Sequence, residues 1–169
     1  MSEAAAPAFT LLCVDDEANI LSALRRLFRP HGYTVLTAGG GEEGLEILAR
    51  EPVDLIISDM RMPVMDGARF LGEARKRHPD TVRLLLTGYA DMESTIEAIN
   101  AGQIARYISK PWNDQDVLLT VREALERLAL TREKVRLEAL TQRQNEELKS
   151  LNASLEQKVE ARTAELKDR

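Results

Sequence analysis

The sequence predicts an α/β fold: a doubly wound, five-stranded parallel sheet in the order 2-1-3-4-5, followed by an extended C-terminal helix. Two observations carry this. Five short apolar runs alternate with five amphipathic helical stretches, the pattern of strands covered by helices on both faces. From Asp114 to Lys167, neither Pro nor Gly interrupts a helical pattern. Right-handed crossovers with one reversal after the second strand then set the strand order.

In chain order, Phe9–Val14 is the first strand and runs into Asp15-Asp16-Glu17. Ala18–Arg29 carries Ile20, Leu21, Leu24, Leu27 and Phe28 at helical spacing and is closed by Pro30-His31-Gly32. Tyr33–Ala38 is the second strand, and Glu42–Arg50 a helix with Leu45, Ile47 and Leu48 apolar. Val53–Ser58 is a strand buried on both faces, ending at Asp59. Asp66–Arg77 is a helix with Phe70, Leu71 and Ala74 inward. Val82–Leu86 is the fourth strand, ending at Thr87-Gly88, and Met92–Ala101 a helix broken at Gly102. Ala105–Ser109 is the fifth strand, ending at Lys110-Pro111. Asn113, with Asp116 three residues on, opens the last helix.

Composition excludes several classes. The 169 residues suffice for one core plus an appendage. No apolar run approaches the ~20 residues of a membrane span, and Met1–Pro7 lacks the character of a signal peptide. The lone Cys13 lies inside an apolar run and reads as a small buried hydrophobe. The net charge of −5, without a basic stripe, argues against direct nucleic-acid binding. A cytoplasmic location is the expectation. Domain boundaries are expected at 1–8 for a disordered N-terminus, 9–128 for the α/β domain and 129–169 for a coiled-coil helix.

The chemistry collects where the strands end. Reactive groups in an open α/β sheet sit past the C-terminal ends of its strands. Taken alone, Asp59 equally fits a solvated carboxylate capping the next helix. The strand order brings Asp15 and Asp16 to one side of it, and Thr87 and Lys110 to the other. Three crowded carboxylates repel, and a divalent cation relieves the repulsion. Mg²⁺ takes oxygen ligands, one or two carboxylates plus a phosphate oxygen. A hydroxyl and an ammonium then complete a site for a phosphoryl group attacked in line by a carboxylate. Gly39-Gly40-Gly41 lacks the Lys-Ser/Thr of a phosphate loop. His31 and His78 stand beside Pro at helix ends, poor places for a phosphodonor.

The stretches CVDDE, SDMRMPVMDG, LLLTGYA and ARYISKPW, in this order and spacing, resemble the receiver domain of two-component response regulators from Thr10 to about Leu128. The resemblance implies a set of roles. Asp59 would accept a phosphoryl group from the phosphohistidine of a histidine kinase or phosphotransfer protein. Asp16, Asp59 and the Arg61 backbone carbonyl would ligate Mg²⁺ directly, and Asp15 through water. Lys110 would pair with the phosphoryl oxygens, with a cis bond to Pro111. Thr87 would swing in and Tyr107 would follow as the switch aromatic. Arg61 and Tyr89 occupy variable places that tune acyl-phosphate lifetime, and their size suggests shielding. No enzymatic output is expected in these residues.

The tail carries a stripe: Leu137, Leu140, Gln144, Leu148, Leu151, Leu155, Val159, Arg162 and Leu166, spaced 3, 4, 4 in repeat. An eleven-residue period predicts a nearly straight or slightly right-handed coiled coil, and a helix of roughly 80 Å at 1.5 Å per residue needs a partner for its stripe. A parallel homodimer is the expectation. Such tails often link receivers to phosphodiesterase, cyclase or kinase modules. Two other readings remain open. One is a constitutive dimerisation scaffold with a vestigial receiver, disfavoured by the intact Asp pair, Thr and Lys. The other is a hydrolase with an Asp59 phosphoenzyme, disfavoured by Arg61 standing where a general-acid Asp would be.

Overall fold

The computed structural model describes residues 8–101 and 103–167. The expected disordered stretch 1–8, apart from Ala8, and the helix break at Gly102 lie outside the described residues. The elements are β1 (Thr10–Val14), α1 (Ala18–Phe28), β2 (Thr34–Ala38), α2 (Gly41–Arg50), β3 (Leu55–Asp59), α3 (Gly67–Arg77), β4 (Val82–Thr87), α4 (Met92–Asn100), β5 (Arg106–Ser109) and α5 (Asp114–Lys167). The sheet is parallel throughout, in the expected order β2-β1-β3-β4-β5.

Its two faces are covered differently. Leu12, Val14, Ile56 and Leu85 join Phe70, Leu71 and Ala74 of α3 and Ala98 of α4 in one apolar cluster. Their strand neighbours Leu11, Cys13, Leu55, Ile57, Leu84 and Leu86 alternate to the opposite face and are equally buried. Leu24 and Phe28 of α1, and Val117, Val121 and Leu125 of α5, are buried as well. Each such side chain contributes about 1.5–3 kcal/mol on leaving water.

Element ends shift from expectation for physical reasons. β3 starts at Leu55, not Val53, whose carbonyl accepts the Thr81 hydroxyl at 3.0 Å. At its other end the strand takes in Asp59, which pairs in register with Leu86. α1 gives way at Arg29–His31 to a tight 3₁₀ turn, closed by Gly32 at φ 85°. A second 3₁₀ turn, Tyr89–Asp91, precedes α4. Asp66 is the N-cap of α3 rather than its first residue, its carboxylate accepting the Arg69 N–H at 2.8 Å. Asn113 caps α5 by accepting the N–H groups of Gln115 and Asp116 at 2.9 and 3.2 Å.

The chain divides into two compact units, one through Glu126 and one from Arg127 onward. In the second, the stripe residues Leu137, Leu140, Leu148, Leu151, Leu155, Val159 and Leu166 are all exposed. Among the described residues no helix is long and apolar enough to cross a membrane.

Candidate functional site

Register builds the site. Val14 pairs with Ser58, Asp59 with Leu86, and Thr87 with Ser109. Asp15, Asp59, Thr87 and Lys110 therefore end their strands within one residue of a common line. Each is held by backbone bonds: Asp15 N–H to the Ala38 carbonyl (3.1 Å), Met60 N–H to Leu86 (3.0 Å) and Lys110 N–H to Thr87 (2.9 Å). The Lys110–Pro111 bond is cis, as the resemblance implied.

The carboxylates of Asp15, Asp16 and Asp59 bring one oxygen each within 4.8 Å of one another. Asp15 is fully buried, Asp59 nearly so, and Asp16 exposed. Lys110 Nζ donates to Asp59 Oδ1 at 2.7 Å and lies 3.5 Å from Asp15 Oδ2. Burial pushes the Asp15 carboxyl up to about 6, and the Asp59 charge adds to this; the Glu17 N–H, at 2.8 Å from Oδ1, and Lys110 pull the other way. Burial also works to lower the Lys110 pKa. The bond to Asp59 and the charges of Asp15 and Asp59 outweigh it, so the ammonium is held above its ordinary value.

Close packing secures the loop after Asp59. A Cβ on Gly67 would collide with the Asp59 carbonyl oxygen, and the Gly67 N–H bonds to the Met60 carbonyl at 2.8 Å. Only glycine lets α3 begin so near the strand end. Thr87 is buried on the other side. Its hydroxyl lies 3.2 Å from both the Gly88 carbonyl and the Thr95 hydroxyl. Tyr107, on β5, is 40% exposed. Arg61 pairs with the Asp91 carboxylate at 2.9 and 3.0 Å, and Tyr89 is almost wholly exposed.

The structure thus brings Asp15, Asp16, Asp59 and Lys110 together, with Thr87 at the adjoining strand end. Sequence reasoning missed Thr95 and Asp91. Thr95 carried a faint signal: with Ala98 and Ile99 it lies at i, i+3 and i+4 on α4, the face that packs inward.

All the acidic donors are oxygens, which suits a hard divalent cation rather than a soft metal. One ammonium beside them suits an anion that shares that cation. Comparison with known proteins agrees with this chemistry. Residues 11–122 match the family model described as response regulator receiver domain. The chain is 40% identical over 129 residues to the hydrogenase transcriptional regulatory protein HoxA of Cupriavidus necator, covering 76% of this chain and 27% of that protein. It spans about a quarter of the length of the curated relatives it matches. A crystal structure of the signal receiver domain of an HD domain-containing protein from Pseudomonas fluorescens is 41% identical with a TM-score of 0.71, covering 76% of this chain and 94% of that one. A structure titled adenylate cyclase from Rhodopirellula baltica is 32% identical with a TM-score of 0.73, covering 77% and 96%. The chain belongs to the receiver domain family of two-component response regulators, whose members are phosphorylated by histidine kinases.

Proposed function

We propose that Asp59 is the phosphoacceptor of this receiver and that its donor is the phosphohistidine of a histidine kinase or phosphotransfer protein. The observation that carries this is the Lys110 ammonium 2.7 Å from the Asp59 carboxylate, beside the Asp15–Asp16 pair at the strand ends. An Asp59 oxygen attacks phosphorus in line. A P–O bond forms as the donor's P–N bond breaks, and the bonding pair leaves with the imidazole, which takes a proton from solvent. Lys110 turns from Asp59 toward the phosphoryl oxygens, and Thr87 donates its hydroxyl to them. Asp16, Asp59 and the Arg61 backbone carbonyl would hold Mg²⁺ directly, and Asp15 through water; the oxygen-only donor set fits it. The bound cation supplies neutralisation of the carboxylate and phosphoryl charges.

The receiver occupies 9–128 and the coil 129–169. Phosphorylation adds about −1.5 to −2 charge. As Thr87 moves inward, Tyr107 follows, and the face formed by α4, β5 and α5 is remodelled. That change passes along α5 to a parallel coiled-coil homodimer through the stripe Leu137–Leu166. The exposed leucines and valine of the stripe support dimerisation. The receiver of an HD domain-containing protein and a structure titled adenylate cyclase, both among the similar structures, support an enzymatic output acting downstream of the coil.

Acetyl phosphate with Mg²⁺ should add one hydroxylamine-labile phosphoryl group to the parent chain and none to Asp59→Asn. Equal labelling of the two overturns the assignment.

A further inference from the structure

Thr95 is a buried polar group that phosphoryl transfer leaves unused. It lies on α4, fully buried, eight residues past Thr87. Its Oγ1 stands 2.8 Å from the Asp91 carbonyl oxygen and 3.2 Å from the Thr87 Oγ1. A hydroxyl has one proton and can also accept. The carbonyl only accepts, so the Thr95 proton goes to Asp91, across the shorter contact. The Thr95 oxygen is then left as an acceptor, so any hydrogen bond across the 3.2 Å contact has Thr87 as its donor. The other acceptor within reach of Thr87 is the Gly88 carbonyl.

Asp91 is itself fixed from outside. Its carboxylate takes the Arg61 guanidinium, and its N–H bonds to the Gly88 carbonyl at 3.1 Å. A chain of bonds therefore runs Arg61–Asp91–Thr95–Thr87. It starts in the loop after β3, crosses to the loop after β4 and ends on the strand-end hydroxyl beside the acidic cluster.

We propose that Thr95 is a positioning residue for Thr87: it holds the Thr87 hydroxyl in a resting arrangement that must be given up before Thr87 can donate to a phosphoryl group on Asp59. This rests on the reading of Asp59 as phosphoacceptor. The Thr87 proton is single, and while Thr95 or Gly88 receives it no phosphoryl oxygen can. Phosphorylation exchanges this neutral bond for a charge-assisted one, which is roughly twice as strong. Removing one of the two resting acceptors weakens the resting arrangement and leaves the destination untouched, so the inward arrangement gains population.

The test uses beryllofluoride with Mg²⁺ as the phosphoryl mimic on the full chain. Thr95→Val keeps the shape and removes the hydroxyl. It should bind beryllofluoride about 2- to 10-fold more tightly than the parent, the scale of one neutral hydrogen bond. Thr95→Ala, which removes the same hydroxyl by a different truncation, should tighten binding too. Thr95→Ser should stay within twofold of the parent. Affinity for Mg²⁺ alone should be the same in all four. In the free Thr95→Val protein, the amide resonances of Thr87 and Gly88 should move toward their positions in the liganded parent, which a packing defect elsewhere in α4 would not produce. Val and Ala variants that bind no more tightly than the parent, or a Ser variant that behaves like Val, overturn the role of Thr95 while leaving Asp59 in place. A parent chain that takes up no beryllofluoride overturns the phosphoacceptor reading, and this inference with it.

Discussion

The buried Asp15 carboxyl, pushed up to about 6, gives the metal-free protein a pH dependence opposite to that of a carboxylate whose partners hold it below its ordinary value. Unfolded, Asp15 titrates near its ordinary value of about 4. Between about 4 and about 6 the folded state keeps a proton that the unfolded state has released. Stability therefore falls as pH rises through this window and levels off above it. Two pH units correspond to up to about 3 kcal/mol. Asp15→Asn should accordingly be more stable than the parent at pH 7 without Mg²⁺, with the gap closing by pH 4; denaturant melts of the two proteins at both pH values measure it. Parallel pH profiles would remove Asp15 as the cause. Mg²⁺ should stabilise the parent at pH 7 and progressively less below pH 6, because its ligands must be deprotonated. At this scale the sequence was most informative where a residue's charge announced it: Asp15, Asp16, Asp59 and Lys110 stood at the ends of apolar runs. Thr95 was hidden because it is polar at a buried position, while its apolar neighbour Ile96 is exposed. Hydrophobic periodicity finds apolar faces and passes over a buried hydroxyl satisfied by a backbone carbonyl one helical turn back.

Among the elements, α3 shows how two glycines of one helix differ. A Cβ at Gly67 would meet the Asp59 carbonyl oxygen, which is backbone and cannot turn aside. At Gly72 it would meet the end of the flexible Gln103 side chain at 3.3 Å. Gly67→Ala should destabilise by about 1–3 kcal/mol, as overpacking does, and slow phosphorylation by displacing the strand end. Gly72→Ala should be neutral or gain up to about 1 kcal/mol from helix propensity. Chemical denaturation midpoints compare them, and equal losses would refute the distinction. Strand order, helix count and the inward set Phe70, Leu71 and Ala74 were all legible, since apolar spacing encodes them directly. The start of β3 was not, because Val53 looks like any strand residue until the Thr81 hydroxyl takes its carbonyl. The pairing of Arg61 with Asp91 was equally silent, thirty residues apart in sequence.

For the whole molecule, the coil reading predicts a dimer with and without phosphate, because each buried Leu or Val of the seam contributes roughly 1.5–3 kcal/mol. Spin labels near Leu140 should report inter-label distances that shift when Asp59 is phosphorylated. A monomer in both states, or distances unchanged at full phosphorylation, refutes coupling through the coil. The exposed stripe has one more consequence. The residues from Arg127 onward form a compact unit of their own, yet its large apolar side chains between Leu130 and Leu166 are exposed. A helix whose apolar face is buried only against another copy is ordered by a second-order reaction, so dilution competes with it directly. Its helical signal should fade on serial dilution while the melting of the sheet stays put. In a cell, the number of copies of this chain would then be an input to the tail, alongside any phosphoryl group on the receiver.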